Sequence, residues 1–150
     1  MDIRDVAAKY LASRARSTGE MKNHLKGKGY SEDEISAVIA DFIDYGYLDD
    51  EDYCRQYIKY ACSKGKGPLR IKQELAEKGI ARDAIAFALE DYEAEETDLE
   101  RALAQARKTV SGKPVDEKMK GRVGRRLVSL GYSTDMVYKV IGILMREQDE

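Results

Sequence analysis

Apolar side chains recur along this chain at intervals of three and four, three times over and in the same order. Met21 and Leu25 precede Gly29 and Tyr30, and Ile35, Val38, Ile39 and Phe42 follow. Ile71 and Leu75 precede Gly79 and Ile80, and Ile85, Ala88, Leu89 and Tyr92 follow. Val123 and Leu127 precede Gly131 and Tyr132, and Val137, Val140, Ile141 and Leu144 follow. Each trailing set falls at i, i+3, i+4 and i+7, which is one face of an α-helix. The three glycines stand 50 and then 52 residues apart, so the repetition covers the whole chain. A further amphipathic stretch leads each set: Val6, Ala7, Tyr10 and Leu11; then Tyr53, Tyr57, Ile58 and Ala61; then Leu99, Ala102, Leu103 and Ala106. Alternation with period two, the mark of a half-buried strand, is not sustained anywhere. The pattern predicts an all-α chain of three tandem three-helix repeats, at residues 1–46, 47–93 and 94–150. No single repeat has enough apolar surface to stand alone, so stacking into an elongated, curved helical array is expected.

The residues between the apolar runs agree with helix ends. Ser17 with Glu20 and Ser31 with Glu34 fit the capping box, in which hydroxyl and carboxylate each satisfy a free backbone N–H. Asp49 and Ser133 can cap helices in the same way. Pro68 follows Gly67 at a position suited to a first helical turn, where the missing N–H costs nothing. Gly29, Gly79 and Gly131 sit where a helix closes in a left-handed residue, a conformation without steric cost only for glycine.

Composition narrows the function. Of 150 residues, 43% are hydrophobic and 36% charged, more charge than one compact ball needs and consistent with a large surface. No apolar run approaches the ~20 residues of a membrane span. The opening sequence is charged and lacks the apolar stretch of a signal peptide, so a cytoplasmic, membrane-free protein is expected. Cys54 and Cys62 lie eight residues apart in one predicted helix, too far for a disulfide, and are expected as free, half-buried thiols. With His24 the only histidine, no metal site or cofactor is expected.

The net charge of −2 hides a segregation. Residues 14–28 carry five bases and one acid, and residues 113–126 carry six bases and two acids. Residues 90–100 carry seven acids and no base. A helical advance of 100° per residue places Lys118, Arg122, Arg125 and Arg126 on one face, beside the apolar face of Met119, Val123 and Leu127. Contact with phosphates or an acidic protein patch fits this face, and so does plain solvation. Lys22 and Lys26 make a smaller patch, and Lys66, Arg70 and Lys72 complete the candidate contact set. Glu74 and Glu77 follow Arg70 at i+4 and i+7 and are expected to neutralise part of its charge.

Tyr45, Tyr47, Tyr53, Tyr57 and Tyr60 invite a base-stacking role, but the helical spacing of Tyr53, Tyr57 and Tyr60 reads as core-facing and no basic run interleaves them. The four acids Asp49 to Asp52 match the positive end of a helix better than they match a metal site. No nucleophile–base pair, phosphate loop or spaced carboxylate dyad is present in the sequence, and no enzymatic activity is expected.

The run Gly46-Tyr47-Leu48-Asp49-Asp50-Glu51-Asp52-Tyr53, followed by Tyr57 and Ile58, resembles the signature of the RecX family. The stretch Lys64 to Ile71, then Glu74-Leu75 and Lys78-Gly79-Ile80, resembles a second segment of that family. Tyr10-Leu11, Arg14, Arg16-Ser17, Glu20 and Lys28-Gly29-Tyr30 are similar to its first repeat. Tyr53 and Cys54 stand where phenylalanine and alanine are expected, and the segment before Gly65 is poorer in arginine. The resemblance implies a non-enzymatic regulator, acting as a monomer, that binds RecA–DNA filaments and mostly inhibits the recombinase, ATPase and coprotease activities of RecA in DNA repair and the SOS response. Single- or double-stranded DNA is a further partner it allows. The alternative is a helical protein that binds DNA directly, since a three-helix unit can present a helix to the major groove.

Overall fold

The computed structural model describes residues 1–93 and 95–150, so the repeat boundary expected at 93/94 falls on a residue outside the described ones. Among the described residues there are nine helices and no strand: α1 (Ile3–Ser13), α2 (Thr18–Gly27), α3 (Glu32–Asp44), α4 (Asp50–Ser63), α5 (Pro68–Glu77), α6 (Arg82–Glu93), α7 (Asp98–Val110), α8 (Glu117–Leu130) and α9 (Thr134–Gln148). They follow one another as three successive sets of three.

The helix ends form where the sequence provides donors and acceptors for them. Ser17 with Glu20 and Ser31 with Glu34 make full capping boxes at α2 and α3. Asp49 accepts from the Asp52 N–H at 3.1 Å and Ser133 from Met136 at 3.2 Å, as anticipated. Thr97 with Glu100 makes a third capping box, at α7, and Asp2 and Asp116 cap α1 and α8. Pro68 is the first residue of α5. Gly29, Gly79 and Gly131 all have positive φ, as their place after a helix requires.

The chain forms two compact units. One comprises Met1–Tyr57 and Glu74–Ala88, the other Ile58–Gln73 and Leu89–Glu150. In the first, Ala7, Met21, Leu25, Ile35, Val38, Ile39, Phe42 and Leu48 form a buried cluster with Val6, Tyr10, Leu11 and Tyr30 packed at its edge. In the second, Ala102, Ala106, Val110, Val115, Met119, Val123, Leu127, Leu130, Tyr132, Val137, Val140 and Leu144 do the same. Ile71 and Leu75 are wholly buried on α5. The apolar positions at the centre of the predicted faces are therefore buried, while Leu89, Tyr92, Leu99, Leu103 and Ile141 at their edges are half-buried.

Two expectations are corrected. Cys54 and Cys62 are free thiols but buried rather than half-buried, because α4 turns them inward beside Ile58 and Ala61. Burial pushes the Cys54 thiol up to about 11, with the Asp50 charge adding to it. Tyr60 is 54% exposed rather than core-facing, since Ile58, Ala61 and Cys62 already fill the inward side of that turn. Tyr53 and Tyr57 are half-buried and parallel.

Each unit also contains a junction in which the start of one helix meets the end of another. In the first, the Ser17 hydroxyl donates to the Lys78 carbonyl, and the Thr18 N–H donates to Asp50 at 2.8 Å. A Cβ on Gly19 would lie 2.7 Å from the Gly79 Cα, so only two glycines permit this approach. In the second, Gly67 N–H donates to the Leu130 carbonyl at 2.7 Å and Leu69 N–H to the Gly131 carbonyl at 3.0 Å. Those bonds occupy donors of α5 and acceptors of α8 that have no partner within their own helices.

Candidate functional site

The second unit holds seven of the nine candidate contact residues. Lys118, Arg122, Arg125 and Arg126 are all exposed on α8, while Met119, Val123 and Leu127 on the adjoining face are buried. Among the described residues none of these four cations has a carboxylate within salt-bridge distance. Lys120, on the same helix, does: its ammonium lies 2.9 Å from Glu117. The Arg125 guanidinium lies beside Gly121, where the missing side chain leaves it room. Each arginine offers planar N–H donors suited to bidentate contact with phosphate or carboxylate. Chemically, this face presents cationic N–H donors, of the kind that anionic oxygens accept from, to solvent.

The other three residues of this unit arrive with α5. Arg70 and Lys72 are exposed and Lys66 is half-buried. Arg70 donates to the Ser129 carbonyl at 3.4 Å, which holds it at the C-terminal end of α8. Glu74, named above as a neutralising partner for Arg70, accepts the Tyr57 hydroxyl at 2.6 Å. Lys22 and Lys26 are exposed on α2 and belong to the first unit.

The segment before α5 is fixed by a buried arginine that sequence reasoning missed. Arg101 on α7 is only 4% exposed. Its Nε donates to the Lys66 carbonyl at 2.9 Å, and its two terminal nitrogens meet Glu96 at 3.0 Å and Asp98 at 2.7 Å. Burial opposes that charge, but the neighbouring Tyr132, Glu96, Cys62 and Asp98 outweigh it, so the Arg101 pKa is raised and the group stays cationic. The buried Tyr132 hydroxyl donates to the Gly65 carbonyl at 2.9 Å, and burial pushes its pKa up to about 12. Two side chains thus satisfy successive carbonyls of the Gly65–Lys66 turn and set where Lys66 leaves the backbone. The Thr97-x-x-Glu100 spacing could have revealed the α7 cap from sequence. Nothing in one sequence marks Arg101 as buried.

The first unit carries a second charged cluster. The His24 ring stacks on Tyr10 at 3.8 Å and 6°, and the Arg16 guanidinium lies 3.8 Å from the same ring. Two planar groups at that distance occupy opposite faces, so Tyr10 is sandwiched. Burial, with the nearby Lys28 and Arg16 charges, lowers the His24 pKa. No group of three or more potential metal-ligating side chains occurs among the described residues. Among them, too, no helix is long and apolar enough to cross a membrane.

Comparison with known proteins decides the family. Residues 4–42 match the first three-helix domain of RecX, and residues 49–89 match the second. The chain is 32% identical over 149 residues to Regulatory protein RecX of Leptothrix cholodnii, covering 99% of this chain and 93% of that one. The chain belongs to the RecX family. Regulatory protein RecX of Mycolicibacterium vanbaalenii is 32% identical over 146 residues, covering 92% and 79% of the two chains. The crystal structure of RecX from Lactobacillus salivarius superposes with a TM-score of 0.82 at 26% identity, over 95% of this chain and 94% of that one. The three-helix repeats and the all-α architecture are thus those of RecX, and the α8 basic face is a feature of this RecX-family chain's third set of helices.

Proposed function

We propose that this RecX-family chain binds RecA–DNA filaments and restrains RecA, with no catalysis of its own. Its partners on this reading are the RecA filament and the DNA within it, and the chain acts as a cytoplasmic monomer built of repeats at 1–46, 47–93 and 94–150. The observation that carries the reading is the α8 face, where Lys118, Arg122, Arg125 and Arg126 are exposed without a carboxylate partner among the described residues. Four cations so placed repel one another, and an anionic surface relieves that repulsion. Membership of a family whose relatives are named regulatory proteins supports regulation over catalysis. Direct DNA binding is the second reading, since the same face would serve it. Against it stand the acidic net charge of −2 and the distribution of bases over several helices.

Co-sedimentation with RecA filaments on single-stranded DNA, beside a DNA-only control, tests the reading. The chain should pellet with filaments, slow ATP hydrolysis by RecA, and show no ATPase or nuclease activity alone. Arg122→Glu with Arg126→Glu should weaken filament binding by about tenfold or more, equivalent to about 1.4 kcal/mol per decade. It should also flatten the salt dependence, because fewer counterions are released on binding. Lys22→Glu with Lys26→Glu should matter less. Unaltered RecA turnover at saturating protein, or equal binding by the folded Arg122/Arg126 variant, would refute the reading.

A further inference from the structure

We infer that the turn closing α3 is a docking surface for a basic, partly apolar segment of a partner protein. Ile43, Tyr45 and Tyr47 are 51%, 61% and 62% exposed, three large apolar side chains within five residues. An exposed cluster of this kind is informative where a single exposed leucine would not be. Leu48 and Phe42 are the buried residues of this turn, Tyr47 meets Phe42 edge-on, and Tyr45 meets Tyr47 at a tilt while lying near Arg4.

The backbone beneath the patch is fixed. Tyr47 N–H donates to the Phe42 carbonyl at 2.8 Å, Leu48 N–H to the same carbonyl at 3.2 Å, and Gly46 N–H to Ile43 at 3.0 Å. Gly46 has φ of 81°, which lets the chain reverse there without steric cost. Two tyrosines on a rigid turn lose little freedom on binding, and tyrosine is enriched where proteins meet.

The charge around the patch selects the partner. Asp44 and Asp49 are exposed beside the tyrosines, and Asp41 lies one turn back on α3, where it pairs with Arg4 of α1. Asp49 accepts from the Asp52 N–H, and no cation pairs with Asp44 among the described residues. Three carboxylates against one guanidinium repel phosphates, so the aromatic rings are poorly placed to stack on nucleic acid. They attract lysine and arginine carried beside apolar side chains that cover Ile43 and the two rings. The proposal rests on the filament reading above and assigns this turn to the protein part of the filament.

The test compares the parent chain with Tyr45→Ser plus Tyr47→Ser, and separately with Asp44→Lys, on two probes: RecA filaments on single-stranded DNA, and the same DNA alone. The tyrosine variant should keep its helical circular dichroism, lose filament affinity at least tenfold, and bind DNA alone as the parent does. Asp44→Lys should weaken filament binding, and the loss should shrink as salt screens it. Parent-like filament binding by both variants overturns the docking surface alone. Equal loss on DNA alone overturns it in favour of base stacking. A parent that fails to bind filaments at all overturns the filament reading and this inference with it.

Discussion

Gly29 and Gly79 close equivalent helices in the first two repeats, yet replacing each by alanine should have very different consequences. Both have positive φ, 91° and 79°, so alanine pays the left-handed penalty of about 1–2 kcal/mol at either site. At Gly29 a Cβ would find nothing within 4 Å, so that penalty is the whole cost. At Gly79 the Cβ would lie 2.7 Å from the Gly19 Cα, and backbone cannot rotate away as a side chain can. Overpacking of this kind adds about 1–3 kcal/mol, which puts Gly79→Ala near 2–5 kcal/mol. Gly19→Ala probes the contact from the other side with the opposite intrinsic bias. Helix propensity alone favours alanine there by about 1 kcal/mol, but its Cβ would sit 2.8 Å from the Lys78 carbonyl oxygen. The variant should therefore be destabilised where propensity says stabilised. Urea unfolding followed by far-ultraviolet circular dichroism measures all three, with tyrosine fluorescence as a second probe of two-state behaviour. Equal losses for Gly29→Ala and Gly79→Ala, or a gain for Gly19→Ala, would refute the close approach of the two glycines.

Leu75→Ala should cost about 2–5 kcal/mol in the same assay, because the side chain is wholly buried on α5; a change of a few tenths would mean the face is wrongly assigned. His24 should make stability fall as pH drops below its ordinary value of 6.5. Its folded pKa lies below 6.5, so the unfolded chain takes up the proton first, and the stability present above pH 6.5 is lost as pH falls through the folded value. His24→Asn should flatten that part of the profile, and a slope unchanged by the substitution would contradict the lowered pKa.

The fold was legible in the sequence because helix faces and helix ends are local. Leu75, Val123 and Val140 are buried where a 3.6-residue period puts them, and Ser17, Ser31 and Pro68 sit at helix starts for reasons contained within four residues. Long-range contacts were not legible. Tyr60 shares its spacing with Tyr57, and only the packing of α4 turns one half inward and leaves the other in solvent. Arg101 reads as one more surface base until α7 folds against the Gly65–Lys66 turn. Asp50 reads as part of a helix-start acid run, yet its carboxylate accepts from Thr18, the first residue of α2. The basic face of α8 was legible as a face, since residue spacing fixes which side chains project together. The exposure of Tyr45 and Tyr47 was not, because spacing does not say whether another element will cover a turn.

The seating of α5 on α8 has an electrostatic consequence as well as a steric one. A helix presents about half a negative charge at its C-terminal carbonyls and half a positive charge at its N-terminal N–H groups. The N–H groups of Gly67 and Leu69 point at the carbonyls of Leu130 and Gly131, and the Arg70 guanidinium meets that of Ser129. The negative pole of α8, which lies about one turn beyond Arg126, is thereby partly offset. Without α5, a row of bare carbonyls would dull the positive potential at the end of the basic face. With it, an anion approaching the C-terminal end of the basic face meets less opposing field near Arg126, and the backbone junction, not a residue of α8, supplies that relief.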